Sequence, residues 1–202
     1  MGKNWFTIKK LYTNIWGIGE FNHSEKVISY LFVGENQALL FDTGLGIADI
    51  KQVVDKLTSL PVLVINSHHH WDHIGGNKAF SRLLRPLEDK IINIEPFELM
   101  VITTPGHTPD SICLYEKEKG LLFSGDTFYP GSIYLHFRES NLKDYKKTIK
   151  RLVKLDINWI FPGHNSFKCK PEVLHQIKNK LSAAFNDADN IKINRKVYLK
   201  LI

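Results

Sequence analysis

The sequence predicts an α/β layered fold with sheet in the middle. Short β-branched or aromatic runs, separated by Gly, Asn or Glu turns, precede, separate and follow the helical stretches. Three longer stretches place apolar residues at helical spacing. Several of the predicted strands end at a turn holding Gly or Pro, followed at once by His or Asp. The 202 residues fit one domain, 1–202, large enough to bury a core without disulfides. Cys113 and Cys169, the two cysteines, make no disulfide framework.

In chain order, residues 6–11, 14–18, 27–33 and 37–41 read as a β-meander. Gly34-Glu35-Asn36 is the expected hairpin turn between the last two, and residues 19–24 form a loop at one end of the sheet. Asp42-Thr43-Gly44 closes the fourth strand. Ile47, Ile50, Val53, Val54 and Leu57 recur at helical spacing and predict an amphipathic helix over 46–57. The apolar run 61–65, PVLVI, is a buried strand, and a short helix is expected near 74–83. Strands follow at 91–94 and 98–103, the second ending at Thr104-Pro105-Gly106-His107. A strand pair, 111–115 and 121–123, is joined by a charged turn and delivers Ser124-Gly125-Asp126. Leu142, Tyr145, Ile149, Leu152 and Val153 define a second helix. A buried strand at 157–161 ends at Pro162-Gly163-His164, and Val173, Leu174, Ile177, Leu181 and Phe185 mark a third helix. The tail, 191–201, alternates as a last edge strand would.

Composition excludes several function classes. Hydrophobic residues make up 43% and charged ones 24%, as in ordinary globular chains. No run approaches the ~20 apolar residues of a membrane span, and the first sixteen residues lack the continuous apolar core of a secretion signal. The expected location is the cytoplasm, with no membrane partner. The net charge of +6 favours an anionic ligand. Much of it is dispersed, with Lys143, Lys146, Lys147, Lys150 and Arg151 on one helix and Lys192, Arg195, Lys196 and Lys200 in the tail, which reads as solvated faces rather than a nucleic-acid groove.

Residues 67–76 read SHHHWDHIGG, with His68, His69, His70, Asp72 and His73 inside six positions. Imidazole and carboxylate are the groups a divalent ion takes when no thiolate is offered. His68 and His70, two apart, can point the same way, which leaves Asp72 and His73 for a second centre. Tags and low-complexity tracts also give histidine runs, but this one is internal, on a loop between a strand and Gly-Gly. The same grammar recurs at Asp42, His107, Asp126 and His164: apolar strand, Gly or Pro turn, metal-type ligand. Of the nine histidines, His69 reads as structural or solvent-facing, and His23, His136 and His175 fall outside the pattern.

With HHHWDH at 68–73, His107 in TPGHT, Asp126 in SGDT, His164 in FPGH and Asp42 in DTG, the chain resembles the metallo-β-lactamase-fold hydrolases. The resemblance covers roughly residues 12–165 and implies a four-layer αββα sandwich with metals at one edge. It implies a first metal on His68, His70 and His107, a second on Asp72, His73 and His164, and Asp126 bridging them together with a hydroxide. Zinc is the expected ion, with iron or manganese as alternatives. Asp42 would hold a ligand imidazole by hydrogen bond. Two divalent ions bring four positive charges, and Asp72, Asp126 and hydroxide remove three. The net positive centre acidifies water and stabilises an oxyanion. The expected reaction is attack of the bridging hydroxide on a carbonyl, with Asp72 taking its proton. Tyr129 stands where lactonases of the fold assist the carbonyl, and it reads equally as a packing aromatic.

Details separate the branches. Flavin-linked di-iron members carry Glu where this chain has His70, and the commonest lactamases replace or lose the bridging Asp that is kept here as Asp126. Residues 104–132 resemble the glyoxalase II group and, more closely, the acyl-CoA thioesterases of the fold. Glyoxalase II enzymes add a C-terminal helical domain, whereas about one helix and a tail follow His164. The expectation is a hydrolase of a thioester or related ester or lactone, acting on a small acyl molecule. A mononuclear-iron persulfide dioxygenase and a β-lactamase are the alternatives. Phe21, His23, Tyr134, His136 and Arg138 lie on loops able to rim the site.

Overall fold

Strands whose alternate side chains are all apolar have two faces to bury, and this chain covers both. The computed structural model describes residues 5–85, 90–183, 190–192 and 197–200. Strands β1 (Thr7–Tyr12), β2 (Ile15–Gly19), β3 (Ile28–Val33), β4 (Ala38–Phe41) and β5 (Val62–Ile65) form one sheet in that order. Its first four strands are antiparallel, while β4 and β5 run parallel across helix α1 (Ile50–Leu57). Helix α2 (Trp71–Ile74) precedes β6 (Ile91–Ile94), β7 (Phe97–Thr103), β8 (Ile112–Glu116), β9 (Leu121–Gly125) and β10 (Ser132–Tyr134). Helix α3 (Leu142–Leu152), β11 (Trp159–Pro162), α4 (Glu172–Ala183), β12 (Asn190–Lys192) and β13 (Tyr198–Lys200) complete the chain. The second sheet runs β11-β9-β8-β7-β6, and a small third sheet runs β10-β13-β12.

The layers follow from side-chain alternation. Ile28, Tyr30, Phe32, Leu39 and Phe41 face Leu99, Val101, Leu114, Phe123 and Phe161 of the second sheet. Each such side chain, fully buried, contributes about 1.5–3 kcal/mol. On the opposite face Leu31, Leu40 and Val64 meet Ile50 and Val54 of α1. The outer face of the second sheet, with Ile102, Cys113, Tyr115 and Leu122, packs on Tyr145, Ile149 and Leu152 of α3 and on Leu174, Ile177 and Leu181 of α4. The order is helix, sheet, sheet, helix: a four-layer αββα sandwich. Among the described residues no helix is long and apolar enough to cross a membrane.

Most elements fall within two residues of expectation, and three readings change. The helix expected over 46–57 starts at Ile50, because Asp49 caps it by accepting from the Lys51 amide at 3.0 Å. The helix expected near 74–83 is instead α2, four residues long, followed by a 3-10 turn at Asn77–Ala79. Gly75 lies against the Leu45 carbonyl, where an added Cβ would come within 2.3 Å, so the chain leaves the helix at that contact. The tail is two three-residue strands, with β13 between β10 and β12 rather than at an edge. Phe185 and residues 193–196 and 201–202 of the tail lie outside the described residues.

Candidate metal centre

Strands β4, β5, β7, β9 and β11 each end in a turn that carries a candidate ligand or its partner. The two sheets are joined at this edge: the Ile28 amide donates to the Gly163 carbonyl at 2.7 Å, and the Ile112 amide to the Ser67 carbonyl at 2.8 Å. The sequence placed the whole histidine cluster on a loop. His68 does lie in a bend after β5, but Asp72 and His73 occupy the first turn of α2, with His70, on extended backbone, at its N-cap. The helical turn brings Asp72 and His73 to His164, while the His73 ring stays 4.3 Å from that of His68.

Each imidazole is held by one ring nitrogen and presents the other. His73 Nδ1 donates to Asp42 Oδ2 at 2.8 Å, His107 Nδ1 to the Tyr134 carbonyl at 2.7 Å, and His164 Nδ1 to the Glu25 carbonyl at 2.6 Å. The Ser67 hydroxyl donates to Asp42 Oδ2 at 2.8 Å and so accepts from His68 Nδ1, 3.0 Å away. His70 is reversed: its Nδ1 faces His107 Nε2 at 3.1 Å, and its Nε2 donates to Glu139 Oε1 at 3.2 Å. Such outer bonds fix the tautomer and leave a lone pair facing inward. Asp42 does this for His73 and, through Ser67, for His68, at a left-handed backbone position (φ 66°) rare for a non-glycine.

The inward atoms converge on a buried centre. Three groups each bring ligand atoms within 4.8 Å of one another: His68, His70 and His107; His68, His73 and Asp126; Asp72, His73 and His164. Asp126 lies between them, with Oδ1 3.0 Å from His164 Nε2 and 3.2 Å from His73 Nε2, and Oδ2 3.6 Å from His107 Nε2. Asp72 Oδ2 stands 3.6 Å from His164 Nε2 and 3.8 Å from His73 Nε2. His68 Nε2 and Asp126 Oδ1 are buried with no hydrogen-bond partner. A buried polar atom left so costs about 1–3 kcal/mol, and a cation is the partner that both an imidazole lone pair and a carboxylate oxygen accept. The donor set therefore fits divalent metal.

Burial pulls the His73 pKa down, but the Asp42 and Asp126 carboxylates outweigh it and hold it well above the ordinary imidazole value. His164 is raised against burial in the same way by Asp126, whereas burial depresses His68 well below the ordinary value. Protons on raised groups are bound at low pH and lost as pH rises through the folded-state pKa, and a metal must displace them. Titrating zinc into chelator-treated protein near pH 7 is expected to release protons, read as heats that scale with buffer ionisation enthalpy. The release should fade once pH exceeds the raised imidazole range.

The centre opens into a cleft of about 330 Å³ walled by Trp71, Tyr129, Tyr134 and Phe137, with Glu25 and Glu139 among its other lining residues. All seven side chains expected as ligands meet here. Tyr129 lines the cleft with its ring 4.9 Å from that of His164, but its hydroxyl donates to the Ser132 carbonyl at 2.5 Å. The phenol has one proton and cannot serve that carbonyl and an oxyanion together, so the geometry matches the packing reading. His69 is exposed and pairs with Asp110, turned away from the centre. Of the other rim candidates, Tyr134 lines the cleft, His23 packs on Trp71, and Phe21 packs on Phe167 instead. Sequence reasoning missed Ser67, Glu139 and the buried Glu20, which accepts from the Leu45 amide at 2.8 Å. None carries a local motif; only proximity reveals them.

A family model described as the metallo-beta-lactamase superfamily matches residues 26–88 and 83–164. The chain is 26% identical to an acyl-coenzyme A thioesterase, MBLAC2, of Bos taurus, over 81% of this chain and 82% of that protein. It is 28% identical to a hydroxyacylglutathione hydrolase of Pelagibacter ubique, over 86% of this chain and 77% of the other. A solved metallo-beta-lactamase from Pontibacter korlensis superposes with a TM-score of 0.72 at 18% identity, covering 89% of this chain and all (100%) of that one.

Proposed function

The chain belongs to the metallo-beta-lactamase superfamily and is a metal-dependent hydrolase, and on that footing we propose that it is a dinuclear thioesterase acting on small acyl thioesters. The observation that carries the reading is the pair of three-residue ligand groups flanking Asp126, with His68 Nε2 and Asp126 Oδ1 left without partners. Two related hydrolases, one named for acyl-coenzyme A and one for hydroxyacylglutathione, share thioester chemistry and support the substrate class. Two divalent ions, zinc first, would be held by His68, His70 and His107 on one side and by Asp72, His73 and His164 on the other, with Asp126 shared. Bound there, they would supply an acidified water and a Lewis acid for the acyl oxygen.

The chain's own groups do the rest. Asp72, lining the cleft beside His164, accepts the proton released from the attacking water. Trp71, Tyr134 and Phe137 offer apolar walls to the acyl portion, and partly exclude water from the reacting carbonyl. The positive charge of the chain suits a thiol carrier bearing phosphates or carboxylates.

The test is a spectrophotometric panel on zinc-loaded protein: acyl-coenzyme A, lactoylglutathione, homoserine lactone and a chromogenic cephalosporin. Turnover of a thioester, abolished by chelation and restored by zinc, with two ions per chain, is the expected result. Turnover of the cephalosporin alone, or a single iron with oxygen uptake, would overturn the reading. Tyr129→Phe is expected to keep kcat within about threefold, since a bond to Ser132 is lost and no bond to substrate. A drop of about 10²-fold or more in kcat at constant KM would assign the phenol to the carbonyl instead.

A further inference from the structure

Four of the five candidate ligand histidines owe their orientation to buried side chains or backbone carbonyls. His70 owes its own to Glu139, a carboxylate 44% exposed on the segment between β10 and α3. The same segment grips His107 three ways. The Tyr134 carbonyl takes its Nδ1 proton at 2.7 Å, the Ser140 hydroxyl donates to its carbonyl at 2.7 Å, and the Asn141 amide donates to the adjacent Gly106 carbonyl at 2.8 Å. Phe137 packs edge-on to both rings, with centroids 5.3 Å from His70 and 5.8 Å from His107.

The segment is anchored in turn by β13. Strand β10 pairs in parallel with β13, Ile133 opposite Leu199. The Leu135 amide donates to the Lys200 carbonyl at 2.7 Å, and the Tyr198 amide to the Gly131 carbonyl at 2.9 Å. Ile133 and Leu199 are fully buried against the α3 and α4 core. Asp72, His73 and His164 receive none of these contacts; His73 rests on Asp42 and His164 on the Glu25 carbonyl.

We propose that residues 131–141, docked on the C-terminal strand β13, form a strap that positions His70 and His107, with Glu139 the positioning residue for His70. The subsite of His68, His70 and His107 then depends on β13, while that of Asp72, His73 and His164 does not. This rests on the two-subsite reading above.

Zinc affinity of the full chain, measured by competition with a chromophoric chelator, tests it on wild type, Glu139→Ala, Glu139→Gln and Leu199→Ala. Wild type is expected to show two binding steps. Glu139→Ala should weaken one step about 10- to 100-fold and leave the other unchanged. Glu139→Gln, which keeps an acceptor oxygen, should fall between, and Leu199→Ala should weaken the same step as Glu139→Ala. Equal weakening of both steps, or none in Glu139→Ala, overturns the strap; Glu139 is exposed, so that variant folds whether or not Leu199→Ala does. If wild type binds a single ion, the dinuclear reading fails separately. The strap then stands if Glu139→Ala weakens that one step and falls if it does not.

Discussion

Replacing Asp126 by Ala is expected to lower kcat/KM on the best thioester by about 10³-fold or more, a loss near 4 kcal/mol of transition-state stabilisation. Metal content should fall below the wild-type value in the same sample. Asp126 is buried among three imidazole nitrogens at 3.0, 3.2 and 3.6 Å and is the carboxylate within reach of both ligand groups. Burial by itself would raise its pKa, yet His164 and His73 hold it well below the usual carboxylate range. Its neighbours thus favour the ionised form. Removing that charge leaves His73 Nε2 and His164 Nε2 facing each other at 3.2 Å with nothing anionic between them and the first subsite. Asp126→Asn separates charge from shape: it keeps the volume against Gly163, where an added Cβ would lie 2.8 Å from Oδ1. It should lose nearly as much activity as Asp126→Ala. Wild-type turnover in either variant, measured with zinc in excess, would remove Asp126 from the chemistry.

The sequence exposed the ligands far better than their supports. His107, Asp126 and His164 each follow a strand and a Gly or Pro turn, the 68–73 cluster follows the strand PVLVI, and the family resemblance grouped the seven. Alternation made β3 and β4 legible, because both faces of each are buried and every position is apolar or small. Strand β10 was not legible: it has three residues, and its partner β13 lies more than sixty positions downstream. Glu139 is invisible for the same reason, since nothing local marks a glutamate that meets His70 from sixty-nine residues away. The break after α2 depends on the Gly75 contact with Leu45, again non-local, so the helix expected near 74–83 lies instead at Trp71–Ile74. Tyr129 shows the converse limit. Its offset from Asp126 was readable, but the acceptor of its proton, Ser132, emerges only when the turn is folded.

Gly46→Val is expected to cost about 3 kcal/mol of stability or more, lowering Tm by roughly 6–12 °C, and to weaken zinc binding as well. Gly46 has φ +71°, a region a β-branched residue occupies only under strain, and its Cβ would fall 2.4 Å from the Gly75 carbonyl oxygen. Backbone cannot yield as a flexible side-chain tip can, so the 42–46 turn and the Gly75 turn must move apart. Both carry the site. The first holds Asp42, which orients His73 and Ser67; the second directly follows Asp72 and His73 on α2. Gly120→Ala supplies the comparison. That glycine also has positive φ (+62°) and meets backbone, the Asp156 carbonyl oxygen at 2.8 Å, but it lies in the β8–β9 turn, at the opposite end of β9 from Asp126. Thermal unfolding should show both variants destabilised, while chelator competition should show zinc affinity reduced in Gly46→Val alone. Equal affinities in the two would mean that the packed turns support the fold without setting the ligand geometry.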